Sequence, residues 1–214
     1  MTVRLAVLAS GRGSNLQAIL DAIERGALDA EVVGVFSDKP RAAALQRVPE
    51  PRRWARDAKG YARRSDFDAA LADAIAAVQP DWVVCAGYMR ILGDAVVQRF
   101  RGRLLNIHPS LLPRHRGLHT HARALEAGDA EHGASVHFVI PELDAGAVIA
   151  QAPVPILAGD TPETLAARVL RVEHRLLVSV LQMVAAGRIA ERAGEAILDG
   201  QPLFTPRRLE FPPM

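Results

Sequence analysis

Asn106 and His108 stand two residues apart at the end of the apolar run Leu104-Leu105, and Pro109-Ser110-Leu111-Leu112-Pro113 follows at once. Side chains two apart on an extended segment share a face, so a carboxamide and an imidazole here can address one reacting atom. The two prolines keep the pair out of a helix. A carboxylate follows at Asp144, inside Pro141-Glu142-Leu143-Asp144-Ala145-Gly146, where a glycine-containing turn can return it to the imidazole. Together an amide donor, an imidazole and a carboxylate suit stabilisation of a tetrahedral oxyanion with proton handling beside it. Taken singly, His108 reads as a structural histidine and Asp144 as a turn former. Their common setting gives them a chemical reading, and no serine or cysteine stands out as a nucleophile for a covalent route.

Gly11-Arg12-Gly13-Ser14-Asn15 lies between a first apolar run and a helical stripe. Backbone N–H groups and the helix dipole can receive a phosphate there. The competing reading is a turn capped by Ser14 or Asn15. A dinucleotide fingerprint is disfavoured, because Leu16 stands where the third glycine would be. Seven histidines invite a zinc hypothesis, but His119-x-His121 has no cysteine partners, so no metal is expected. His137, two residues after Ser135, is expected to share a face with it and to line the site as a secondary contributor. The segment from Leu111 to Glu131, carrying His119 and His121, reads as a mobile lid.

The elements that must hold these residues follow from periodicity. Val3 to Leu8, Val32 to Phe36, Trp82 to Cys85 and Leu104 to Ile107 read as strands. Leu16, Ile19, Leu20 and Ile23 repeat at helical spacing, as do Phe67, Leu71, Ile75 and Val78, and a helix is expected around Asp94 to Phe100. The alternation predicts an α/β fold, a single-domain, Rossmann-like, mostly parallel sheet flanked by helices. Beyond it come a short helix from Thr120 to Ala127 and strands from Ser135 to Val139 and Val148 to Pro155. A long helix then begins at the capping Thr161 with Pro162 in its first turn. Residues 1–200 are expected to form the domain, and 201–214, with four prolines, an extended and poorly ordered tail.

At 214 residues and 50% hydrophobic content the chain can bury a full core in one domain. A formal charge of +2 with an arginine-dominated basic set fits an anionic small substrate; no aromatic-rich basic stripe accompanies it, so nucleic acid is not expected. No apolar run approaches the ~20 residues of a membrane span. The one cysteine, Cys85, reads as a small core residue, and with no signal-peptide pattern a reducing cytoplasm is the expected compartment.

The segment Asn106 to Pro113, with Gly117-Leu118-His119-Thr120-His121 and His132-Gly133-Ala134-Ser135-Val136-His137-Phe138, closely resembles the phosphoribosylglycinamide formyltransferases, folate-dependent enzymes of purine synthesis. Ser10 to Ile19, Ala86 to Leu92 and Arg168-Val169 leading to Glu173-His174 agree, in unbroken order from about Leu5 to Val180. The resemblance implies the formyltransferase fold and transfer of a formyl group from 10-formyltetrahydrofolate, a co-substrate, to the amine of glycinamide ribonucleotide. It implies that Asn106 and His108 contact the transferring group and that Asp144 holds the imidazole. Gly13, Ser14 and Asn15 would take the phosphate, and Glu173 the ribose hydroxyls, although periodicity alone makes Glu173 a surface charge. Met89, Arg90, Ile91, Leu92, Ile140, Pro141, Glu142 and Leu143 would hold the folate. Arg64 also maps onto a folate-binding arginine, or is an ordinary solvated residue beside Arg63. No metal is implied, and the expected assembly is a monomer or homodimer. A methionyl-tRNA formyltransferase would be expected to add a C-terminal nucleic-acid domain, and a formyltetrahydrofolate hydrolase an N-terminal regulatory one. A non-catalytic nucleotide-binding module would leave Asn106, His108 and Asp144 unexplained.

Overall fold

Each apolar run of the N-terminal half becomes a strand, and each helical stripe covers the sheet. In the computed structural model, which describes residues 2–211, these elements are β1 (Val3–Leu8), α1 (Ser14–Glu24), β2 (Ala30–Ser37), β3 (Arg53–Ala55), α2 (Arg64–Ala77), β4 (Trp82–Cys85), α3 (Asp94–Arg99) and β5 (Leu104–His108). The rest are α4 (Thr120–Glu126), β6 (Glu131–Phe138), β7 (Val148–Pro155), α5 (Pro162–Ala185), β8 (Ile189–Arg192), β9 (Glu195–Leu198), β10 (Gln201–Pro202) and β11 (Arg207–Arg208). Among the described residues the large sheet has the order β11-β7-β6-β5-β4-β1-β2-β3, and β10-β9-β8 form a second, small one. The pairs among β1 to β5 are all parallel, whereas β6 runs antiparallel to both neighbours. The strand order reverses between β1 and β4, and ligands of such sheets bind beyond the carboxyl ends at that point.

Both sheet faces are buried, as the near-continuous apolar strands require. Along β1, Leu5 and Val7 join a core with Leu16, Ile19, Val169 and Leu176 of α1 and α5. Ala6 and Leu8 face the opposite core, with Phe67, Leu71, Val96 and Val97 of α2 and α3. Thr161 and Thr164 cap α5 reciprocally, with Pro162 in its first turn, as the sequence signals. Among the described residues no helix is long and apolar enough to cross a membrane.

Three features went unread in the sequence. β3 has only three residues. The β8–β9 hairpin turns through Ala193 and Gly194, both at positive φ. From Gln201 the backbone first pairs as β10 with β9 in the small sheet and then as β11 with β7 at the edge of the large one, where Arg208 meets Glu131 and the Arg175 guanidinium lies 4.4 Å from the Phe211 ring centre. Pro212 and Pro213 of the expected tail lie outside the described residues.

Candidate active site

The end of β5 places Asn106 and His108 on one face, and β6 sets His137 opposite Asn106 and Ser135 opposite His108. The His137 ring is buried, with Nδ1 2.7 Å from the Phe138 carbonyl oxygen. A carbonyl only accepts, so Nδ1 carries the proton and Nε2 offers a lone pair. Asn106 Nδ2 donates to that lone pair at 3.0 Å, which fixes the orientation of the carboxamide. Burial pushes the His137 imidazole down to about 4, opposed by the Phe138 carbonyl and by Asp144, so the ring is neutral at pH 7. Its 3.7 Å approach to Asp144 Oδ1 is therefore not an ion pair.

His108 is buried with oxygen acceptors at both ring nitrogens. Nε2 donates to the His115 carbonyl at 3.0 Å, and Nδ1 lies 3.3 Å from Asp144 Oδ2. Each ring nitrogen therefore faces an oxygen that can only accept. Asp144 sits in a left-handed turn at φ 49°, and its Oδ2 also accepts from the Gly117 N–H at 2.9 Å. Gly146 makes the return possible, since a Cβ there would stand 1.9 Å from the Phe138 carbonyl oxygen.

These side chains open on a cavity of about 570 Å³, within the range of small-molecule sites. Asn15 and Glu173 line it too, and the Asn15 amide donates to Glu173 Oε2 at 2.9 Å. Burial raises the Glu173 carboxyl above its ordinary range, partly offset by that hydrogen bond, and Asn15 Oδ1 has no partner. Met89, Arg90, Ile91 and Leu92 form one wall, with Ile140 to Asp144 and Gly117 to His121 also lining the space. Met89, Ile91, Leu118 and Leu143 are exposed, so apolar side chains ring the opening.

Other expected residues stand outside the cavity lining, Gly13 and Ser14 among them. Gly13, at φ 72°, precedes α1, whose start has no side-chain cap, so neither Ser14 nor Asn15 caps it. A Cβ on Gly13 would meet Ala44 at 2.7 Å, so the close approach that glycine permits here is to Ala44. Ser135 shares the expected face but does not line the cavity. Its hydroxyl donates to the Ser110 carbonyl and accepts from the Leu112 N–H and from Gln151, pinning the double-proline loop. Arg64 is also outside the lining, half-exposed, and donates to the Ile91 carbonyl at 2.7 Å. The segment expected to be a lid contains α4 and is tied at Thr120 to the Pro109 carbonyl and at His115 to Asp129. His121 stacks edge-on to His132 at 5.1 Å, and no group of metal-ligating side chains occurs among the described residues.

Ser10 and Asp68 were missed. Ser10 accepts from the Met89 N–H and donates to Asp38, fixing the start of the Met89–Leu92 wall. Its place at the end of β1 was a usable signal. Asp68 was legible only as an acidic residue inside the apolar stripe of α2.

The Formyl transferase family model matches residues 3–181. The phosphoribosylglycinamide formyltransferase of Escherichia coli K12 is 47% identical over 203 residues, which cover 94% of this chain and 96% of that protein. That of Haemophilus influenzae is 41% identical over 202 residues, covering 94% and 95%. The solved structure of the Coxiella burnetii phosphoribosylglycinamide formyltransferase in complex with CHES superposes with a TM-score of 0.91 at 43% identity, covering 99% of this chain and 100% of that one.

Proposed function

The chain belongs to the formyl transferase family, and we propose that Asn106, His108 and Asp144 carry its transfer of a formyl group from 10-formyltetrahydrofolate to the amine of glycinamide ribonucleotide. The amine attacks the formyl carbon directly. As the new C–N bond forms, the carbonyl electron pair moves to oxygen; then the bond to the folate nitrogen breaks, and the proton lost by the amine ends on that nitrogen. The amide N–H of Asn106 and an N–H of His108 stabilise the oxyanion, and Asp144 orients and charge-balances the imidazole. The carrying observation is the convergence of these groups on one cavity, with the neutral His137 ring fixing the Asn106 amide. His108 Nε2 is engaged by the His115 carbonyl, so for that nitrogen to reach the formyl oxygen the loop must yield or share this hydrogen bond.

The ribonucleotide takes the end formed by Asn15 and Glu173, with the backbone of Gly13 and Ser14 at the open start of α1 receiving the phosphate. The unpartnered Asn15 Oδ1 supports a polar ligand there. The folate takes the apolar slot of Met89, Ile91 and Leu92 against Ile140, Pro141, Glu142 and Leu143. Arg90, whose Nε is unpartnered, and Arg64 on the rim turn toward its acidic tail. Held together, the two substrates gain most from orientation. In this reading the enzyme is cytoplasmic, works on small molecules as a monomer or homodimer, and the reaction as written uses no metal.

The test follows folate product by absorbance with glycinamide ribonucleotide, with no acceptor, or with charged initiator tRNA. Product is expected only with the ribonucleotide. Turnover without an amine would indicate a hydrolase, and folate binding with no turnover under any condition a binding module.

A further inference from the structure

At the end of the cavity assigned above to the folate tail, two arginines share one buried carboxylate. Asp68 is 3% exposed, on α2 beside Phe67 and Leu71. Its Oδ2 lies 3.5 Å from Arg64 Nε, and its Oδ1 4.0 Å from Arg90 Nε. The Arg90 guanidinium carbon also stands 5.0 Å from the Phe67 ring centre. Among the described residues seven buried side-chain polar atoms lack a hydrogen-bond partner, and two of them belong to this cluster: Asp68 Oδ1 and Arg90 Nε. The carboxylate is fixed in place, because the backbone after Leu92 runs against it: a Cβ on Gly93 would meet Asp68 Oδ2 at 2.2 Å. Burying a carboxylate is unfavourable unless its partners offset the lost hydration. Here burial lifts the Asp68 carboxyl while Arg90 and Arg64 pull it down. The network is about one ångström short of closure at Arg90.

We propose that Asp68 is a positioning residue for folate binding: it holds Arg90 and Arg64 at the cavity rim with one guanidinium charge uncompensated, and a carboxylate of the folate tail completes the network. When that carboxylate seats on the outer N–H groups of Arg90, its Nε closes onto Asp68 Oδ1. The proposal rests on the folate reading of the Met89–Leu92 wall.

The test is a double-mutant cycle of Asp68→Asn and Arg90→Ala, read as KM and kcat with 10-formyltetrahydrofolate and with 10-formyltetrahydropteroate, which lacks the glutamate. Asp68→Asn keeps the shape and removes the charge. It should raise KM for the glutamate-bearing folate about tenfold with kcat within about threefold, and in the Arg90→Ala background it should add less than about twofold. An equal effect on both folates, or full additivity with Arg90→Ala, would reduce Asp68 to a structural residue. A normal KM in Asp68→Asn beside a raised one in Arg90→Ala overturns the role of Asp68 alone. A normal KM in Arg90→Ala overturns the folate assignment and the proposal with it. Should Asp68→Asn not fold, the wild-type protein decides: the Arg90 Nε–H signal in NMR should become protected from exchange on adding the glutamate-bearing folate and not the pteroate. An unchanged signal with bound folate overturns the proposal.

Discussion

Asp144 meets three neighbours with two oxygens: the Gly117 N–H at 2.9 Å and His108 Nδ1 at 3.3 Å on Oδ2, and His137 Nε2 at 3.7 Å from Oδ1. Only the first of these survives replacement by a neutral amide of the same shape. Asp144→Asn keeps an oxygen for Gly117, but the charge that balances an imidazolium is gone, and an amide N–H can oppose a His108 N–H. The loss falls where negative charge grows on the formyl oxygen, so kcat should drop by about two orders of magnitude or more. KM should move much less, because the interaction strengthens in the transition state rather than in the ground state. Steady-state kinetics with a melting curve decides it: near-wild-type turnover in a folded variant would leave Asp144 as a turn residue.

At the scale of elements, glycines placed where backbones cross do as much as the strands. Gly13 has positive φ, and a Cβ would meet both Ala44 Cβ at 2.7 Å and Ala44 Cα at 2.8 Å, whereas nothing lies within 4 Å of a Cβ on Gly11. Gly13→Ala should therefore cost about 1–3 kcal/mol of stability, or several degrees of Tm, with Gly11→Ala nearly neutral. Calorimetry giving equal Tm for the two variants would remove Gly13 from the packing of α1. The same contrast explains how far the sequence could be read. Strand period placed Asn106 and His108 on one face, and Asp144-Ala145-Gly146 announced the return of the carboxylate, because both are local signals. The β11 pairing with β7, the destination of the Ser135 hydroxyl and the burial of Asp68 depend on what lies across space, and no local pattern carries that. Gly13 shows both sides: its position before a helix was legible, its neighbour Ala44 was not. The close approach that this glycine makes in the fold is to another loop, which no local pattern announces.

Across the whole molecule, two apolar cores on opposite faces of the sheet leave several histidines neutral in the interior, and this ties stability to pH. His132 is 1% exposed, with its ring between His121 at 5.1 Å and His115 at 5.9 Å, and its Nε2 has no partner. Burial, then the neighbouring His121 and His115, pushes it from the ordinary 6.5 down to about 4. Burial likewise lowers His137, His121 and His174. A histidine held neutral binds fewer protons folded than unfolded between about pH 4 and 6.5, so its contribution is complete above that window and is lost as pH falls through it. For His132 alone the span corresponds to at most about 3 kcal/mol. Glu173 and Asp68 act in the opposite sense, since their raised carboxyls bind more protons in the folded state and so favour it as pH drops. Four histidines against two carboxylates leave the balance with the histidines between pH 7 and 5. Tm should therefore fall across that interval, and His132→Asn, which cannot be protonated, should flatten the fall without altering the slope above pH 7. Melting curves at half-unit steps settle the matter, and an unchanged slope in the variant would show that His132 accepts its proton in the native state as readily as in the unfolded chain.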